Sequence, residues 1–186
     1  METSHLLSPW VSFYRVVGPA GAVLIGLQFV VITLLAERRA QTTPDTISAF
    51  GTPTVVHFGA ALFVSAIIIA PWHSLWGITG ALLISSLVGI TYELTAIGRA
   101  RRQTNYRPEW EDWLWHGVLP LGVYATLAVG AVLLHVAPAA ALDAVGGAAL
   151  ALLLIGIHNS WDAVTYHVVG GPKRDESPAE EFNQPG

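Results

Sequence analysis

A chain of 186 residues that is 53% hydrophobic and only 12% charged is not an ordinary water-soluble domain, in which about 25% of residues are charged. Several runs of roughly 20 apolar residues indicate an all-α, polytopic integral membrane protein, whose helices use nearly the whole chain. The net charge of −4 says little, because in a membrane protein the distribution of charge matters more than its sum; no nucleic-acid partner is expected, and the absence of cysteine excludes thiol chemistry, disulfides, thiolate zinc sites and cysteine-ligated iron–sulfur clusters.

Met1 to Trp10 lack a basic n-region, so no cleavable signal peptide is expected and the first apolar segment is a retained span. That span covers residues 11–36, is interrupted by Gly18-Pro19 and ends at Glu37-Arg38-Arg39. Its small residues Gly18, Ala22 and Gly26 recur at helical spacing and permit close packing. A polar loop follows over residues 40–49. The second span covers residues 52–70, with Pro53 in its first turn, where a missing N–H is harmless. After a short turn at Pro71-Trp72-His73, the third covers 74–98 and stops at Arg99-Ala100-Arg101-Arg102.

The fourth span, 108–136, opens with Glu109, Glu111 and Asp112, whose carboxylates complement the helix dipole. Ala137-Pro138 breaks the chain, and the fifth span covers 142–169, ended by Gly170-Gly171-Pro172. Residues 1–172 thus read as a single five-span domain. The polar, acidic residues 173–186 read as a disordered cytoplasmic tail.

Eight of the nine Lys and Arg residues fall in alternate connections: Arg38, Arg39, Arg99, Arg101, Arg102, Arg107, Lys173 and Arg174. The positive-inside rule places those connections in the cytoplasm and the N-terminus outside. The chain is therefore expected in the cell membrane, the inner membrane in a bacterium, surrounded by membrane lipid, as a homo-oligomer or part of a larger membrane complex. Trp10, Trp72 and Trp76 mark the outer boundary and Trp110, Trp113 and Trp115 the inner one.

This topology gathers polar residues at one depth. His57 lies early in the second span. Glu93 precedes Arg99 by six residues, roughly 9 Å inside the boundary. His116 is one turn inside the fourth span. On the fifth, His158 and Asp162 share a face one turn apart, Thr165 and Tyr166 continue that face, and Asn159 borders it. Trp161, too deep for the aromatic belt, is expected to pack beside the cluster. Ser86 and Gly89 lie on the Glu93 face and admit a neighbouring helix. Pro120 should kink the fourth helix beside His116, and Gln28 and Thr33 are within reach. The outer half holds Arg15, His73, His135 and Asp143 near its boundary, assigned to structure or solvation, and no polar line that would complete a route across.

Three chemistries suit the inner cluster. In the first, His57, His158 and Asp162 hold a divalent metal, Zn or Fe, with Glu93 as fourth ligand or general base. Glu93 and Asp162 are then the catalytic carboxylates of a hydrolase-like enzyme acting on a lipid or amphiphile, with His116, Asn159 and Tyr166 as further members. In the second, His57 and His158 ligate one b-type haem. Span count and the helices that carry His are broadly similar to five-span membrane cytochrome b subunits, and the resemblance implies such a haem. In the third, Glu93, Asp162 and His158 carry protons for a transporter or channel subunit. The alternative to all three is structural polar glue, with Glu93 paired to Arg99 or Arg101. The HxxxD spacing of membrane lipid phosphatases also occurs, at His158 and Asp162, without the basic residues that would hold a phosphate.

The charge asymmetry predicts that a reporter enzyme active only in the cytoplasm works when fused after Gly186. Activity of an externally active reporter at that position would reverse the topology.

Overall fold

The computed structural model describes residues 2–38, 44–102 and 110–169, and among these every regular element is helical. In chain order they are α1 (Glu2–Leu7), a 3-10 turn (Ser8–Trp10), α2 (Val11–Arg38), α3 (Pro44–Ile69), α4 (Leu75–Arg102), α5 (Trp110–Trp113), a π turn (Leu114–Val118), α6 (Leu119–Leu133) and α7 (Pro138–Val169). Five stretches are long and apolar enough to cross a membrane: His5–Leu34, Thr52–Ile69, Leu75–Arg99, Leu114–Leu133 and Pro138–Thr165. The expected tail, the loop residues 39–43, and Pro108 and Glu109 at the start of the fourth span lie outside the described residues. So do the side chains of Asp112 and Tyr166.

Two helices begin earlier than their apolar patterning. Helix α3 starts at Pro44, which leaves Pro53 in its interior rather than its first turn. Helix α7 starts at Pro138, where a chain break was expected. The cause is the same in both. A proline at a helix start gives up an N–H that would be unpaired anyway, and propagation from an existing helix adds a backbone bond for each residue fixed.

Helix α2 packs on α3, α3 on α7, α7 on α6 and α6 on α4, with a lighter contact from α4 back to α3. Helices α3, α4, α6 and α7 therefore enclose the core, and α2 lies along its outside. Apolar side chains such as Phe29, Leu87, Val132 and Leu154 remain exposed on the periphery. This is the surface expected of a bundle bathed in lipid, where helices associate by close packing rather than by expelling water.

Close packing is achieved through glycine. A Cβ on Gly21 of α2 would lie 2.8 Å from the Phe58 carbonyl oxygen, and one on Gly156 of α7 would run into the Phe58 ring. Phe58 is thus clamped between two backbones and fixes the rotation of α3. Gly18 joins the contact against Ser65, whereas Ala22 and Gly26 do not. The contact face of α2 follows Tyr14, Gly18, Gly21 and Gln28, and Gly26 looks into open space.

Gly21→Leu should cost about 1–3 kcal/mol through overpacking, read as a fall in the thermal unfolding midpoint in detergent. Gly26→Leu should leave the midpoint unchanged. Equal effects at both positions would contradict the clamp.

Candidate functional site

The site grows from the buried face of α4, which presents Leu82, Ser86, Gly89 and Glu93 to the bundle. Gly89 is the permissive residue. A Cβ there would overlap the ring of Tyr124, so only glycine lets the α6 tyrosine lie directly against the α4 backbone. From that position the Tyr124 hydroxyl reaches 3.2 Å from His57 Nδ1 on α3. The other ring nitrogen of His57, Nε2, lies 3.6 Å from Glu93 Oε1. Three helices thus contribute one side chain each to a line of phenol, imidazole and carboxylate. Each of the three is 1% exposed.

The separation of 3.6 Å is longer than a hydrogen bond, and closing it by about half an ångström would make one. At such burial an ionised carboxylate needs a proton or a cation beside it. His57 can supply either. With Nε2–H facing Glu93, Nδ1 is free to accept from the Tyr124 O–H. With the proton on Glu93 instead, Nε2 is the acceptor and Nδ1–H faces the phenol oxygen. The line has two proton arrangements and one geometry.

His158 and Asp162 form a second, separate group. Their Nδ1 and Oδ2 atoms are 3.0 Å apart on one face of α7, with the side chains 29% and 48% exposed. The His158 ring stacks on Trp115 at a centroid distance of 3.7 Å and an interplanar angle of 12°. Trp115 belongs to the π turn, in which the Leu119 N–H bonds to the Leu114 carbonyl. This turn stands where a kink was expected at Pro120. Proline cannot donate to the carbonyl four residues back, and the wider register of a π turn absorbs the mismatch. His116, next to Trp115, is within electrostatic range of His57.

The structure gives no support for the expected convergence of His57, His158 and Asp162 on one ion. Among the described residues no three His, Asp or Glu side chains are grouped to hold a metal. The Phe58 clamp turns His57 toward α4 and α6, while the stack on Trp115 and the contact with Asp162 occupy His158. The expectation for Trp161 is corrected. It is 68% exposed and does not pack beside the cluster, because it continues the exposed stripe of Leu150, Leu154 and Ile157 along α7. Glu93 pairs with neither Arg99 nor Arg101 in the described contacts; its neighbour is His57, and Arg101 lies over the Trp113 ring.

The remaining members divide. Asn159 is buried, with both amide atoms lacking a hydrogen-bond partner among the described residues. The Thr165 hydroxyl donates to carbonyls of its own helix, those of Trp161 and Asp162. Ser160 donates to Gln28 Oε1 at 2.9 Å and ties α7 to α2, whereas the Thr33 hydroxyl donates to the Phe29 carbonyl of its own helix. At the opposite end of the bundle, His135 stacks on Trp76 at 4.0 Å and lies 3.1 Å from the Thr79 hydroxyl.

Tyr124 is the functional residue that sequence reasoning missed. Its signal was a lone phenol in the middle of an apolar span, on a helix able to meet the glycine one turn before Glu93. Comparison with family models, with curated proteins and with solved structures finds no match for this chain.

Tyr124→Phe should cost about 1–3 kcal/mol by leaving a buried ring nitrogen unpaired. Gly89→Ala should destabilise through the clash with the ring, and the double variant Gly89→Ala/Tyr124→Ala should cost less than the sum of its parts. Additive losses in thermal unfolding would show that the two residues do not meet.

Proposed function

We propose that this chain is a proton-coupled membrane protein, of the transporter or channel-subunit class, whose working centre is the line Tyr124–His57–Glu93. The observation that carries the reading is a histidine buried to 1% exposure and bracketed by a phenol on one nitrogen and a carboxylate beside the other. A lipid substrate or a hydrated metal needs space and an open coordination position. A proton needs only donors and acceptors in sequence, and intramembrane carboxylates and histidines mark such paths. His158 and Asp162, partly exposed, are suited to exchange protons with water at the same end of the bundle. The positive residues assign that end to the cytoplasm. The apolar periphery suits surrounding membrane lipid, and a homo-oligomer is compatible with it.

A metal-dependent hydrolase would require His57, His158, Asp162 and Glu93 to regroup from two pairs into one site, and a b-type haem would require His57 and His158 to face each other. Elemental analysis and an absorption spectrum of the purified protein separate these readings from the proton reading. Stoichiometric zinc or iron, or a haem Soret band, would favour them.

The proton reading is tested by infrared difference spectroscopy of the reconstituted protein between acidic and alkaline buffer. A protonated-carboxyl band that changes with pH, is lost in Glu93→Gln, and shifts in both His57→Gln and Tyr124→Phe is the expected result. A Glu93 band indifferent to pH and to its two neighbours would overturn it.

A further inference from the structure

Glu93 is the last of three polar residues spaced seven apart on α4, the others being Thr79 and Ser86. A spacing of seven returns a helix to the same face, and all three side chains are buried. That face is the seam against α6. Gly89 meets Tyr124 near its middle, and the Thr79 hydroxyl donates to the Ala131 carbonyl, 3.2 Å away, toward its end. From Thr79 the polar line continues to His135, which is exposed. The seam is therefore polar from the surface at His135 to Thr79, carries the buried hydroxyl of Ser86, and is polar again along Tyr124, His57 and Glu93.

One interruption remains. Between Ser86 and Thr79, about 10 Å along the helix, the seam is filled by Leu82 of α4 and Leu127 of α6, both fully buried. The Ser86 hydroxyl turns back to the Leu82 carbonyl at 2.7 Å and does not bridge the gap. An apolar layer of this thickness stops a proton, because no donor or acceptor spans it, and such constrictions conduct only when wetted.

We propose that the α4–α6 seam is a proton route through the bundle, running between Glu93 and His135 and closed in this structure by the single layer of Leu82 and Leu127. The proposal rests on the proton reading of the Tyr124–His57–Glu93 line. When water enters the layer, a proton arriving through Thr79 and Ser86 displaces the Tyr124 hydroxyl proton to His57 Nδ1. The Nε2 proton of His57 then passes to the ionised Glu93 carboxylate, so one proton enters at the His135 end and is held on Glu93, which must give it up before the next one follows. Transfer in the opposite direction uses the same atoms in reverse.

The test uses the full chain in liposomes loaded with a pH-sensitive dye, with a potassium–valinomycin potential driving proton entry. Leu82→Ser should wet the layer and raise proton flux about tenfold or more over the unaltered protein, the effect of lowering a barrier by about 1.4 kcal/mol. Leu127→Ser, on the facing helix, should do the same independently. Leu154→Ser, on the exposed face of α7, should not. Adding either Glu93→Gln or Thr79→Val to Leu82→Ser should abolish the gain. A folded, monodisperse Leu82→Ser or Leu127→Ser protein without added flux overturns the route, as does a leak that survives Glu93→Gln. If the infrared band of Glu93 still answers to His57 and Tyr124 while no layer variant leaks, the route fails and the relay stands. An unresponsive band removes the relay itself.

Discussion

A polar side chain buried in this bundle must find its partner within the protein, and that constraint divides the polar residues into two kinds. Some short hydroxyls satisfy it locally: buried Ser65 and Ser86 donate to the carbonyl four residues back, bonds that hold nothing together between helices. Others, Thr79 and Ser160, reach a neighbouring helix. Imidazole, phenol and carboxylate groups are too long and too planar to fold back in this way. His57, Tyr124 and Glu93 must therefore reach across, and in doing so they fix α3, α4 and α6 at one depth. The relay is at once the most expensive feature of the core and the one that specifies how three of its helices meet.

Glycine makes that meeting possible. Gly21 and Gly156 hold Phe58 from opposite sides, and with Phe58 fixed, the adjacent His57 is turned about 100° toward the remaining two helices. Gly89 then lets Tyr124 approach α4 closely enough to reach the ring. In a bilayer, where burying apolar surface gains little between helices, these close contacts and a few polar links are the main sources of specificity. The exposed apolar positions carry no such information, and many are filled by large aliphatic residues.

The number and positions of the helices were legible because the period of apolar residues and the length of a membrane crossing are strong constraints. Helix starts were less so, since Pro44 and Pro138 extend helices into segments that composition alone reads as loop or break. That His57, Glu93, His116, His158 and Asp162 share one end of the bundle was legible too. Rotation was not. Whether His57 meets Glu93 or His158 depends on the Phe58 clamp and on Tyr124, and both are long-range contacts invisible to spacing along one helix. Trp161 shows the same limit, because depth suggested burial while the azimuth of α7 turns it outward.

The two groups at this end differ in burial more than in chemistry. Each is a histidine beside a carboxylate, yet His57–Glu93 is buried and His158–Asp162 is partly exposed. The same carboxylate–imidazole contact is screened and weak in the second, and in the first it acts with little solvent to compete. The π turn stands between them, carrying Trp115 against His158 and His116 within range of His57. Adjacent residues on one turn cannot move independently, so a change in the register of that turn displaces both contacts together. The segment beside Pro120 thus carries a ring stacked on His158 and a histidine within electrostatic range of His57.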